Sequence, residues 1–157
     1  GRMRRVVLTL PALLLAGCVA APREPYALSE ARIRPYIAFV EAETGYKITR
    51  PPRVLVDRDA MIARGRQERK SFYEGAWGYY APSIETIYLD HTRYIFGNAG
   101  ADSVLIHELT HHAQLVSGRW TTECELEREA YRMQNLWLVR QGVQPFPQSE
   151  IDKWTGC

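Results

Sequence analysis

Residues 104–118 read VLIHELTHHAQLVSG, and within them His107, Glu108 and His111 form the pattern H-E-x-x-H. Helical residues four apart lie about 6 Å apart along the axis and on nearly one face. His107 and His111 can therefore direct ring nitrogens at one metal ion. Glu108 is turned about 100° from His107, which sets its carboxylate beside the metal, where a base takes a proton from water. This arrangement suits metal-assisted hydrolysis with a single zinc ion. The plainer alternative is a helix with two hydrogen-bonded histidines and an exposed glutamate. The neighbours favour the metal reading, because Val104, Leu105, Leu109 and Val116 give the helix an apolar side to bury.

A catalytic zinc takes three protein ligands and keeps one position open. The next helix, ECELEREAYRMQNLWLVRQG over 123–142, offers four acids. Within it Glu127-Arg128-Glu129-Ala130-Tyr131 resembles the E-x-x-A-[D/N]-like signature of gluzincin metallopeptidases. That resemblance implies Glu127 as the third ligand and Ala130 as the small residue that lets the two helices approach. Tyr131 stands where those enzymes carry an acid or amide that bonds a zinc-bound histidine, so it is the candidate for that supporting role and also the departure from the pattern. Glu129 is the rival ligand, and Glu123 and Glu125 remain open. HELTHHAQ followed by C-x-L-E-R-E-A-Y-R-M-Q is also similar to a group of small bacterial zincin-like proteins. What the likeness implies is an α+β fold: a minimal zincin-like domain whose active-site helix and ligand helix pack with a small sheet. It further implies a peptide or protein substrate that pairs with a strand edge, either Trp77–Tyr80 or Thr86–Leu89. Tyr79, Tyr80 and Tyr88 are candidates to stabilise an oxyanion or are ordinary strand aromatics. His112 turns to another face and reads as structural; His91 is left unassigned.

Other elements must hold these residues in place. Ser29 is a fitting N-cap for SEARIRPYIAFVEAETGY, where Ile33, Tyr36, Ile37 and Val40 fall at helical spacing; Pro35 either kinks this helix or marks its start. Val54-Leu55-Val56 reads as a short strand, followed by a polar helix over 59–70. WGYYAPSIETIYLD reads as a hairpin, Trp77–Tyr80 against Thr86–Leu89, with Ala81-Pro82-Ser83 between. Gly97-Asn98-Ala99-Gly100 is a loop, Asp102 or Ser103 caps the H-E-x-x-H helix, and Gly118 ends it. On the second helix Leu126, Ala130, Met133, Trp137 and Leu138 share a stripe, and Gly142 terminates it. The remaining tail reads as loop with a short helical turn.

The N-terminus reads as a targeting segment. Three arginines (Arg2, Arg4, Arg5) precede an apolar run from Val6 to Ala16. Eleven residues are too few for a bilayer core, which takes about 20 in a helix. Leu15-Ala16-Gly17-Cys18 resembles a bacterial lipobox. It implies a signal peptide over 1–17, lipidation at Cys18, a tether over 18–28 and a folded domain over 29–157. The expected location is the bacterial cell envelope, lipid-anchored and periplasm-facing, and Val19 in place of aspartate points to the outer membrane. In that oxidising compartment Cys124 and Cys157 are an even pair and predict a disulfide.

Charge argues against nucleic acid. The chain carries 20 Lys+Arg and 18 Asp+Glu, and without the three arginines of residues 1–17 the count is 17 to 18. A nucleic-acid binder usually shows a strong basic excess. The cluster ARGRQERK over 63–70 reads as a solvated helix face. The expectation is therefore a zinc-dependent hydrolase of peptide bonds in the envelope. The alternatives are a non-catalytic zinc-binding lipoprotein, a peptidoglycan-directed amidase or endopeptidase, and a structural lipoprotein without metal.

Overall fold

The computed structural model describes residues 24–68, 70 and 76–157. The expected signal peptide, Cys18 and the first part of the expected tether lie outside the described residues.

Strand β1 (Tyr26–Leu28) leads into helix α1 (Glu30–Thr44), which Ser29 caps by accepting from the Arg32 N–H. Pro35 sits inside this helix rather than at its start, and the expected stripe of Ile33, Tyr36, Ile37 and Val40 is buried. Strand β2 (Arg53–Val56) and helix α2 (Arg58–Gln67) follow. Strands β3 (Gly78–Ala81) and β4 (Thr86–Leu89) are joined by a 3-10 turn over Pro82–Ile84. Helices α3 (Ala99–Val116), α4 (Glu123–Arg140) and α5 (Gln148–Thr155) complete the chain. The fold is α+β, with five α-helices and one four-stranded mixed sheet among the described residues.

The sheet order is β1-β2-β4-β3. β1 runs antiparallel to β2, β2 parallel to β4, and β3 antiparallel to β4 in the register Tyr79↔Tyr88 and Ala81↔Thr86. The hairpin read from the sequence is thus present, with β3 at the sheet edge. Central strand β4 is buried on both faces, as its unbroken TIYL run requires. Ile87 and Leu89 join the main core with Val54, Val56, Leu105, Leu109 and Met133. Tyr88 faces the other way, onto Met61 of α2.

Three sequence readings change. Residues 26–28 are not tether but a strand, hydrogen-bonded to β2. The cap of α3 is Asn98, whose side chain accepts from the Ala101 N–H at 3.0 Å. Asp102 lies in the first turn instead, buried, and accepts from the hydroxyls of Tyr36 and Tyr94, each at 2.8 Å. Two phenols and the nearby helix N-terminus give this buried carboxylate the partners it needs. Ser103 donates to the Gly100 carbonyl and caps nothing. Finally, the tail carries an eight-residue helix, α5, where a single helical turn was expected.

Candidate metal centre

α3 and α4 pack side by side, and small residues allow it: Ala113 and Ala130 are both fully buried. At their junction His107 and His111 meet Glu127. The two Nε2 atoms lie 3.2 Å apart, and Glu127 Oε2 and Oε1 lie 3.3 Å from His107 Nε2 and 3.2 Å from His111 Nε2. One ligand atom from each residue falls within 4.8 Å of the other two, a grouping able to hold a metal ion. Glu129 is engaged elsewhere. Its carboxylate accepts from the Tyr46 hydroxyl and from Gln114 Nε2 at 3.0 Å, and pairs with Arg119 at 3.2 Å. Glu123 and Glu125 are exposed in the first turn of α4.

The orientation of both imidazoles follows from partners that the sequence reading missed. His111 Nδ1 faces Gln114 Oε1 at 3.0 Å, while Gln114 Nε2 faces the Leu126 carbonyl and the Glu129 carboxylate. Those two groups only accept, so that end of the amide is nitrogen and His111 Nδ1 carries a proton. His107 Nδ1 faces Gln134 Oε1 at 3.1 Å, and Gln134 Nε2 faces Ser103 Oγ at 3.1 Å. The Ser103 proton is already given to the Gly100 carbonyl at 2.7 Å, so its oxygen accepts from Gln134 and His107 Nδ1 is also protonated. Both Nε2 lone pairs then converge with a carboxylate, an arrangement that repels itself unless positive charge lies between. The donor set therefore fits a cation. A proton is one way to supply that charge. Burial opposes a charged His111, but the hydrogen bond and charge of Glu127 outweigh it and raise the pKa to about 9. Burial likewise pushes Glu127 up, and the hydrogen bonds from His107 and His111 override it to hold the carboxyl far below its ordinary range.

Glu108 is buried beside this group and lines the same cleft. Burial, and then the charge of Glu127, raise its pKa; the two histidines and a backbone hydrogen bond from Tyr80 act in the opposite direction. Strand β3 can come this close only because residue 78 is glycine. A Cβ there would lie 2.8 Å from Val104 Cγ1 and 3.0 Å from Glu108 Oε1. His112 fixes the same strand from behind. Its Nε2 donates to the Arg50 carbonyl at 2.6 Å, which leaves Nδ1 to accept from the Tyr80 hydroxyl at 2.8 Å. The structural role expected of His112 thus acts on the strand that holds Glu108.

Each candidate tyrosine has its own surroundings. Tyr80 is committed to His112, Tyr79 donates to Glu68, and Tyr88 is buried on the α2 side of the sheet. Tyr131 does reach the site, but not in the supporting role considered for it, since glutamines occupy both Nδ1 positions. It meets His107 edge-on, with ring centroids 4.5 Å apart, and packs on Trp154 of α5 at 5.5 Å. Cys124 and Cys157 are joined, with Cα atoms 5.9 Å apart, which ties α5 back onto α4 as a wall of the cleft. His91 accepts from the Arg58 N–H at 3.0 Å, away from the site. The cleft has a volume of about 1280 Å³.

Signals for the glutamines were present. Gln114 is three residues after His111, and Gln134 is seven after Glu127, each on the face of its helix that carries the ligand-type residue.

A family described as a domain of unknown function (DUF6647) matches residues 30–150, which covers both helices of the site and the whole sheet apart from β1. No curated protein and no solved structure gives a match. Among the described residues no helix is long and apolar enough to cross a membrane.

Proposed function

The chain belongs to the DUF6647 family, and we propose that it is a zinc-dependent hydrolase acting on peptide (amide) bonds. The observation that carries this reading is the convergence of His107 Nε2, His111 Nε2 and a Glu127 oxygen, with Glu108 adjoining in one cleft. Two imidazoles and one carboxylate are a donor set for catalytic zinc, with a further position left for water or substrate.

His107, His111 and Glu127 would hold the ion. Zinc, when bound, supplies Lewis acidity, lowering the pKa of water and polarising the scissile carbonyl. Glu108 takes the proton of the attacking water as its oxygen bonds to the carbonyl carbon. It then delivers that proton to the nitrogen as the C–N bond breaks. Burial raises the proton affinity of Glu108, which suits a group that must both accept and return a proton. Tyr131, whose ring meets His107 at the cleft, would be the phenol that donates to the developing oxyanion. Burial first, then the charges of Glu127 and Glu108, push it up to about 12, so it keeps its proton at neutral pH. With Cys18 lipidated, the enzyme would act at the bacterial envelope, on the periplasmic side.

The test compares the zinc-loaded chain with Glu108→Gln on a mixed quenched-peptide library. Loss of an acid–base group of this kind costs about 10²–10⁴-fold in turnover. Cleavage that falls by that factor while one zinc is retained supports the mechanism. Undiminished cleavage removes Glu108 from it, and no cleavage by either protein leaves a zinc-binding role without hydrolysis.

A further inference from the structure

The chain has four tryptophans, and three of them stand exposed around one cleft: Trp77 at 47%, Trp120 at 86% and Trp154 at 48%. Indole is large and mostly apolar, and proteins generally bury most of it. Three on a single rim beside His107 and Glu108 mark a surface meant to be covered by a ligand. Two of the three are held in place rather than loosely displayed. The Arg93 guanidinium lies over the Trp77 ring at 5.4 Å, and Trp154 packs on Tyr131 and on Phe146, at 5.5 and 5.2 Å.

Two kinds of polymer stack well on indole: saccharides and polypeptides with large apolar side chains. Saccharides also need polar side chains to bond their hydroxyls. Along this cleft several such groups are committed within the protein, and Lys70, Thr121 and Glu123, which are not, are exposed side chains. Glu68 receives Tyr79 and Ser83, Arg119 pairs with Glu129, Lys153 pairs with Glu150, and Gln114 and Gln134 orient the histidines. The cleft does have apolar walls and the backbone of the terminal strand β3. Backbone edges recognise polypeptide, and apolar walls recognise its side chains.

We infer that the substrate is an extended polypeptide segment rich in aromatic and aliphatic side chains, of the kind a folded protein buries. This rests on the hydrolase reading of the same site, and the experiment separates the two. The full chain carrying Glu108→Gln, loaded with zinc, is titrated with three probes. These are an apolar, aromatic-rich peptide; a peptide of equal length and charge with serine and glutamine in place of its large side chains; and an N-acetylglucosamine oligomer. Anisotropy of labelled probes and tryptophan emission report binding without turnover. The apolar peptide should bind at least about tenfold more tightly than either other probe. Trp120→Ser, at a site so exposed that the core is untouched, should remove most of that preference, and Trp154→Ala should act in the same direction. Equal binding of the two peptides, preference for the saccharide, or a preference unmoved by both tryptophan variants would overturn the inference. If the unsubstituted chain binds the apolar peptide selectively but leaves it intact, hydrolysis fails and this inference stands.

Discussion

Replacing Gln134 by leucine tests the logic of the site without touching a ligand. In the structure Gln134 accepts from His107 Nδ1 at 3.1 Å, and its own amide is anchored on Ser103 at 3.1 Å. Leucine fills similar space but leaves a buried imidazole N–H without an acceptor, a loss of about 1–3 kcal/mol. The ring then no longer favours the tautomer that turns its lone pair toward His111 and Glu127. Loss of such an outer partner typically weakens metal binding about 10–100-fold, or roughly 1.4–2.7 kcal/mol. Zinc affinity measured by competition with a chromophoric chelator should fall within that range, with the stoichiometry still one. Gln134→Glu keeps an acceptor at the same atom and should hold affinity close to that of the parent, even where the added buried charge lowers stability. That contrast separates orientation of His107 from simple packing. Zinc binding within about twofold of the parent in Gln134→Leu, or equal losses in both variants, would refute the reasoning.

Gly78→Ala should cost about 1–3 kcal/mol of stability, because its Cβ would meet Val104 and Glu108 at 2.8 and 3.0 Å. It should also lower peptide turnover while leaving zinc stoichiometry unchanged; parent-like melting and turnover would show that β3 does not press on Glu108. Replacing both Cys124 and Cys157 by serine opens a link spanning 33 residues, worth roughly 3.5–4 kcal/mol in the chain-entropy model, and should lower Tm by on the order of 10 °C. A parent protein whose melting is indifferent to reductant would remove that contribution.

The parts of the site legible in the sequence are those fixed by local geometry. His107 and His111 share a face because a helix repeats every 3.6 residues, whatever it packs against. The choice between Glu127 and Glu129 is different, since residues two apart point to nearly opposite sides of α4. The buried stripe of Ala130 and Met133 names the side that meets α3, and Glu127 lies three residues before Ala130 on it. Glu129 was open to misreading because its partners, Tyr46 and Arg119, come from distant turns of the chain. Asp102 shows the same limit. Its type suits a cap, but Tyr36, 66 residues earlier, draws it inward, and Asn98 takes the cap instead. Tyr26–Leu28 has the composition of a tether and becomes a strand only because β2 is there to pair with it. Sequence spacing also could not tell which tyrosine reaches the histidines. That depends on how the hairpin sits on α3, and the register turns Tyr80 to His112 and leaves Tyr131 of α4 at the cleft.

Every element that surrounds the centre is tied down by a bond made elsewhere in the protein. β3 is held through Tyr80 and His112 to the Arg50 carbonyl, α4 through Gln114 to the Leu126 carbonyl and Glu129, and α5 through Cys124 and Cys157. The imidazoles are aimed by amides whose own ends are fixed, so packing and hydrogen bonds within the protein meet much of the entropy of ordering these side chains. Here the packed α3–α4 interface and the sheet beneath it set the distances between His107, His111 and Glu127. On the proposed hydrolase reading, a site held by the surrounding packing would suit catalysis rather than structural support. Residues held in this way would, on that reading, keep their geometry through a catalytic cycle.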